Sequence, residues 1–265
     1  MTGLASQRRS PRAFFGLVYL LSAPLWILSR VVHVGGLPDN LPITDVVATF
    51  IPMLAGALLV WRHEGRAGVA LFLRRAYDAC RITSAKWYVV IALLAPAMYL
   101  LTYWIMRALD MPVPVSWNIP ATTPIVFLAF VVAAVGEELG YMGYAFEPLE
   151  TRFGALRAAG LIGVPWALWH LPSMVQIDQS PRLIVVGLVA TVAFRVIYVW
   201  LYVGAGRSVF AVILFHAIGN VGRSIFPGGR AAYELGDGVV GYGVIVLVAL
   251  VVALLWKPRV PGAQR

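Results

Sequence analysis

Charge and cysteine are what this chain has least of. Of its 265 residues only 12% are Asp, Glu, Lys or Arg, against about 25% in a soluble globular domain. So little charge cannot cover a water-facing surface, so lipid must be part of the solvent. The single cysteine, Cys80, excludes an intramolecular disulfide framework and a cysteine-based zinc cage. Low-complexity tails, internal repeats and second-domain boundaries are also missing, and residues 1–265 read as one integral membrane domain. The N-terminus, with Arg8, Arg9 and Arg12 before an apolar run from Ala13, has the charge pattern of a signal peptide. The run exceeds a signal's apolar core and has no clean small-x-small cleavage site, so it reads as a retained first helix.

What the chain has in quantity is apolar length. Hydrophobic residues make up 60% of it, in runs that repeatedly reach the ~20 residues a bilayer requires. These runs fall near 13–34, 43–61, 87–106, 122–146, 157–177, 183–203, 208–222 and 238–256. Turn-forming breaks separate them, among them Gly35–Asn40, Pro112-Val113-Pro114 and Pro227-Gly228-Gly229. Nine Trp and 11 Tyr, many near the run ends, fit interfacial anchoring. The fold class expected is all-α: a polytopic membrane protein of about eight transmembrane helices.

The net charge of +9 would suggest nucleic acid on a soluble protein. Here the cations lie mostly in short loops, so they speak for topology and for anionic lipid heads. No nucleic-acid partner is expected. With the N-terminus inside, 15 of the 21 Lys and Arg fall in inside segments, five in outside segments, and Arg195 within a helix. That bias places both termini in the cytoplasm, and the even number of spans agrees. Between spans two and three, Val69, Phe72, Leu73 and Tyr77 share one helical face while Arg74, Arg75 and Arg81 are polar. This pattern predicts an amphipathic helix lying on the cytoplasmic leaflet; an elbow for docking substrate is the alternative.

Ionisable residues inside apolar helices carry the functional information, because each costs about 2.5–3.5 kcal/mol or more at the bilayer centre. The fourth run contains Glu137 and Glu138, the fifth Trp166 and His170, and the seventh His216 and Asn220. His216 and Asn220, four apart, share a helix face. Glu137 is 10 residues from Glu147, His170 is 13 from Arg157 and His216 is 9 from Arg207. At ~1.5 Å per residue all three lie roughly 14–20 Å from the cytoplasmic helix ends. Arg195 falls at a similar depth. One stratum can therefore hold them all, which suits a membrane-associated peptide arriving from the cytoplasmic side.

Two hydrolytic schemes fit the set. A carboxylate beside an imidazole can deprotonate water while a His/Asn pair donates to the developing oxyanion. Alternatively Glu137, His170 and His216 bind a divalent metal such as zinc, with a position open for water. Neither needs a Ser or Cys nucleophile, and none stands near the set. A proton relay or proton-coupled transporter would use the same residue types.

In order and spacing these residues resemble the CPBP family of intramembrane proteases, which includes the type II CAAX prenyl endopeptidases and the bacterial Abi and bacteriocin-immunity proteins. The family pattern is Glu-Glu-x-x-x-Arg, then Phe-x-x-x-His, then His-x-x-x-Asn or Asp, on three helices. Glu137 and Glu138 match the first element, His170 the second with Trp166 in place of Phe, and His216 with Asn220 the third. The resemblance covers residues 122–222 and implies a catalytic core there. It implies an endopeptidase acting on a membrane-associated protein or peptide, with Glu137 and His170 activating water and His216 and Asn220 stabilising the oxyanion. It also includes non-catalytic scaffolds and immunity factors. One position departs: the family arginine falls at Met142. Arg195, otherwise an unexplained charge, is the residue expected to stand in as the partner of Glu138.

Overall fold

The computed structural model describes residues 9–32 and 43–256. The Gly35–Asn40 break and the terminal cations Arg8, Lys257, Arg259 and Arg265 lie outside the described residues. The elements are α1 (Pro11–Leu28), α2 (Ile43–Ala48), α3 (Ile51–Arg74), α4 (Ala85–Ala108) and α5 (Thr123–Gly140). They continue with α6 (Phe146–Phe153), α7 (Ala155–Gln176), α8 (Pro181–Gly204), α9 (Val209–Ser224), α10 (Gly229–Tyr233) and α11 (Val239–Leu255). Six helical stretches are long and apolar enough to cross a membrane, and α9 and α11 are shorter apolar helices. The all-α, eight-segment reading therefore holds for the described residues.

Local chemistry sets where several helices start. Ser10, Ser180 and Ser208 each accept a bond from a backbone N–H three residues on, at 3.3, 3.1 and 3.1 Å. Pro11 and Pro181 follow two of these caps, where their fixed φ and missing donor cost nothing. The large apolar side chains left exposed, including Leu20, Leu93, Ile125 and Leu254, are scattered along the helices. A lipid-facing surface accounts for them.

The loop between the second and third spans departs from expectation in one respect. α3 breaks at Gly65, whose φ of 64° and ψ of −164° suit glycine alone. Beyond it a short helix runs to Arg74, followed by 3-10 turns at Arg75–Tyr77 and Ala79–Arg81. Its buried face is Gly68, Phe72, Arg75 and Ala76, while Leu73 and Tyr77 are exposed. Arg75, expected on the polar side, is turned inward. Its Nε donates to Asp78 at 3.0 Å and its Nη2 to the Tyr202 hydroxyl at 2.7 Å. Asp78 in turn accepts from Ser208 Oγ at 2.8 Å and Phe210 N at 3.1 Å. Arg75 thus locks the elbow onto the start of α9, because a buried guanidinium must find oxygens.

The helix carrying the two glutamates is held by close approach. A Cβ added at Gly136 would stand 2.4 Å from the Thr49 carbonyl oxygen, and one at Gly140 2.5 Å from the Pro52 carbonyl. Small residues let α3 and α5 touch backbone to backbone. Gly136→Ala is expected to destabilise the protein by about 1–3 kcal/mol through overpacking, read as a lower melting temperature of detergent-solubilised protein. An unchanged melting temperature would contradict the crossing.

Candidate active site

The three sequence elements meet in the middle of the bundle. α5 packs against α9, α7 against α8, and α3 against α5, so Glu137 and Glu138 face α7, α8 and α9. Glu137, His170, His216 and Asn220 line one cavity of about 260 Å³. Glu138 is fully buried behind it.

The two carboxylates have different surroundings. One oxygen of Glu137 accepts from Trp166 Nε1 at 2.7 Å, which fixes the carboxylate while it lines the cavity. Glu138 is closed off on both sides. Its Oε2 accepts from Arg195 Nη1 at 2.6 Å and its Oε1 from His216 Nδ1 at 3.0 Å. The guanidinium is therefore the partner expected for Glu138 in place of an arginine at 142. It arrives from α8, and Met142 is an apolar side chain buried in the core.

Arg195 is wholly buried and lies over three rings, 4.0 Å from the Trp166 centroid, 5.0 Å from Tyr198 and 5.1 Å from Tyr141. Its Nε and Nη2 have no hydrogen-bond partner among the described residues. The ring faces supply the negative potential those donors would otherwise lack. Trp166 thus does two things: its edge holds Glu137 and its face holds Arg195.

The two imidazoles take complementary roles. His170 Nδ1 lies 2.8 Å from the Trp166 carbonyl oxygen, which can only accept. Nδ1 therefore carries the proton, and Nε2 is left as a base. His216 Nδ1 donates to Glu138, and in the imidazolium form its Nε2 is a second donor. Asn220 is one turn along the same helix, its backbone carbonyl accepting from Ser224 Oγ at 2.9 Å. A base, an anchored carboxylate and two donors around one space can add water to a carbonyl and hold the resulting oxyanion. No group of three His, Cys, Asp or Glu side chains placed to hold a metal ion occurs among the described residues.

The π-helical turn Tyr141–Ala145 follows directly on the glutamates. Arg9 is tied into it, Nη1 donating to the Gly143 carbonyl at 3.0 Å while Nε and Nη2 hold Glu64 at 3.2 and 3.1 Å. An interrupted ladder next to functional side chains is a recurring use of the π-turn.

The direction of the cavity differs from expectation. Its walls include Trp26, Asp45, Ser173, Ile177, Arg223 and Tyr242. All lie at the helix ends opposite the one where α1 begins and α11 finishes. The cavity therefore runs away from the face where α1 begins and α11 finishes, not toward it. Residues that pattern reading passed over are the indole of Trp166 as a donor, Tyr141 and Tyr198 as ring walls, and Arg223. The signal available in the sequence was Trp166 standing four residues before His170.

A family model described as type II CAAX prenyl endopeptidase Rce1-like matches residues 119–222, the segment that contains every residue of this constellation. The chain is also similar to CAAX prenyl protease 2 of Methanococcus maripaludis, 23% identical over 275 residues covering 96% of this chain and 97% of that protein. The glutamate pair, the two histidines and the asparagine, in that order at and behind one interior cavity, agree with both matches: over this segment the chain is similar to the Rce1-like type II CAAX prenyl endopeptidases, and it is a multi-pass membrane protease.

Proposed function

We propose that this protein is an intramembrane endopeptidase that hydrolyses a peptide bond of a membrane-associated protein or peptide with a water activated by Glu137 and His170. The observation that carries this reading is the pairing of unlike imidazoles across one cavity: His170 keeps Nε2 as an acceptor while His216 is held as a donor by Glu138. Glu137, steadied by Trp166, and His170 take the water's proton as it attacks the scissile carbonyl. His216 and Asn220 donate to the oxyanion. The proton then passes to the leaving nitrogen as the C–N bond breaks. Glu138 and Arg195 touch no reacting atom; they position His216. The catalytic core is residues 122–222.

The route as written needs no metal. Glu137, His170 and His216 each spend one oxygen or nitrogen on a protein partner and each keep a second, so experiment separates this route from a metal-assisted one. Both termini are cytoplasmic by the distribution of Lys and Arg, and on that orientation the cavity opens toward the opposite leaflet. The substrate segment is drawn from that side. A prenyl group on the substrate follows only from the wording of the family model and of the relative's name.

The test is hydrolysis of internally quenched peptides by purified protein in lipid nanodiscs, with metal content measured on the same sample. Activity is expected to persist in the presence of a chelator, and Asn220→Ala is expected to lower kcat by about 10²–10³-fold with little change in KM, as loss of one oxyanion donor does. Activity that is abolished by chelation and restored by zinc would replace this mechanism with a metal-assisted one. Wild-type kcat in Asn220→Ala would remove Asn220 from the oxyanion site.

A further inference from the structure

A second concavity lies on α3, apart from the hydrolytic cavity. It holds about 280 Å³ and is lined by Leu54, Ala57, Leu58, Trp61, Arg66 and Val69, none of which lines the hydrolytic cavity. Leu54, Ala57, Leu58 and Trp61 follow the i, i+3, i+4, i+7 spacing of one helix face. Other positions on the same turns, Ala55, Gly56 and Val60, are buried, with Gly56 against Phe72 and Tyr144. Leu54, Leu58 and Trp61 are exposed, so this apolar stripe looks out into lipid. The break at Gly65 turns the stripe into a groove. Five apart on a straight helix, Trp61 and Arg66 would point about 140° away from each other. With the break between them, both line one space. Arg66 makes no hydrogen bond or ion pair with the described residues. Glu64, the one acidic residue between Arg62 and Arg75, is spent on Arg9 at 3.1 Å. Arg9 also holds the Gly143 carbonyl at 3.0 Å, which fixes the elbow and so preforms the groove.

We propose that this groove binds one anionic phospholipid of the membrane, its acyl chain along Leu54, Ala57, Leu58 and Trp61 and its phosphate on Arg66. At ~1.5 Å per residue the stripe from Leu54 to Trp61 is roughly 10 Å long, about two-thirds of one leaflet's share of a ~30 Å hydrocarbon core. That is the reach of a lipid chain within its own leaflet, whereas a partner helix would pack along the whole span. Trp61 stands between the apolar stripe and the cation, at the level where an indole meets the headgroups. A guanidinium grips phosphate through two parallel bonds. Arg62, also exposed, adds a second positive charge beside it. Two cations favour a headgroup of net negative charge over a zwitterionic one, whose ammonium would be brought against them. On the orientation proposed above, the elbow lies at the cytoplasmic leaflet, where anionic lipid attracts basic segments.

The experiment reads Trp61 itself, because bromine on an acyl chain quenches an indole that it touches. Full-length protein in phosphatidylcholine nanodiscs receives a small fraction of phosphatidylglycerol with brominated tails or, at the same fraction, of phosphatidylcholine with brominated tails. The Trp61 signal is the difference between wild type and Trp61→Phe. Phosphatidylglycerol is expected to occupy the groove at least about fivefold more than phosphatidylcholine, the effect of one cation on an anionic lipid. Arg66→Gln is expected to cut that preference to about twofold or less, whereas Arg157→Gln, at an exposed cation near the start of α7, keeps it in full. Ala57→Leu fills space that the chain would take and is expected to lower quenching by phosphatidylglycerol at least about twofold at an unchanged melting temperature. Equal quenching by the two lipids in wild type overturns the proposal, because the groove is then ordinary lipid-facing surface. Quenching by neither assigns the groove to a protein occupant and overturns it as well. So does full preference in Arg66→Gln, wild-type quenching in Ala57→Leu, or an equal loss in Arg157→Gln, which assigns the effect to diffuse surface charge. No arm of the experiment reads hydrolysis, so the lipid site and the protease mechanism stand or fall separately.

Discussion

Arg195→Met is expected to destabilise the protein by about 3–5 kcal/mol, the cost of leaving one member of a buried ion pair unpaired, and to abolish hydrolysis. Both side chains of the Arg195–Glu138 pair are fully buried, so water cannot replace the lost guanidinium. Glu138 would keep only His216, and it would do so by taking up a proton or by swinging away. Either response releases the imidazole from its position as a donor. Methionine also cannot attract the faces of Trp166, Tyr141 and Tyr198 as a cation does. Since Trp166 anchors Glu137, both carboxylates would be disturbed. Unfolding by steric trapping in bicelles measures the stability term. The double variant Glu138→Gln with Arg195→Met is expected to recover about 1 kcal/mol or more relative to Arg195→Met alone, because no unpaired charge remains. It should still lack activity, since His216 Nδ1 then faces a neutral amide. Wild-type stability and turnover in Arg195→Met would show that the guanidinium is not the surrogate for an arginine at 142.

Glu137→Gln is expected to lower hydrolysis by about 10²–10⁴-fold while leaving the melting temperature unchanged, the range lost with a general base. The amide preserves shape and still offers an oxygen to the Trp166 indole, so the substitution removes basicity and little else. Comparative membrane proteomics of cells carrying wild type or Glu137→Gln should reveal an uncut membrane-associated protein that accumulates in the variant alone. A protein acting as a scaffold or immunity factor would show the same partners and phenotype in both. Met142 is the feature that first suggests such a weak member. With Arg195 on Glu138, the missing arginine no longer argues for loss of chemistry.

Much of the architecture is written in apolar run length. A bilayer demands about 20 apolar residues and internal satisfaction of every backbone group, so helices near 87–106 or 183–203 follow from composition alone. The short α9 and α11 are legible because polar and glycine-rich breaks bound them. The polar members of the site are legible for the opposite reason. Each is expensive in lipid, so Glu137, Glu138, His170, His216 and Asn220 stand out against their runs, and helix rise places them at one depth. Even the Glu138–Arg195 pair could be anticipated, because two opposite charges at one depth have few ways to be satisfied except by each other.

Side-chain direction came from helix packing. A run of apolar residues records how deep a residue lies but not which way its side chain turns or what stands beside it. The indole of Trp166 holding Glu137, the rings enclosing Arg195 and the inward turn of Arg75 depend on helix rotation and crossing, set at Gly136 and Gly140 by contacts with Thr49 and Pro52 far away in sequence. The direction in which the cavity runs, away from the start of α1, depends on the same packing. The spans, the polar set and their common depth are readable from residue order, because the cost of polarity in lipid acts on each residue alone. Packing decided which donors meet which acceptors and where the cavity opens, because those depend on pairs of helices.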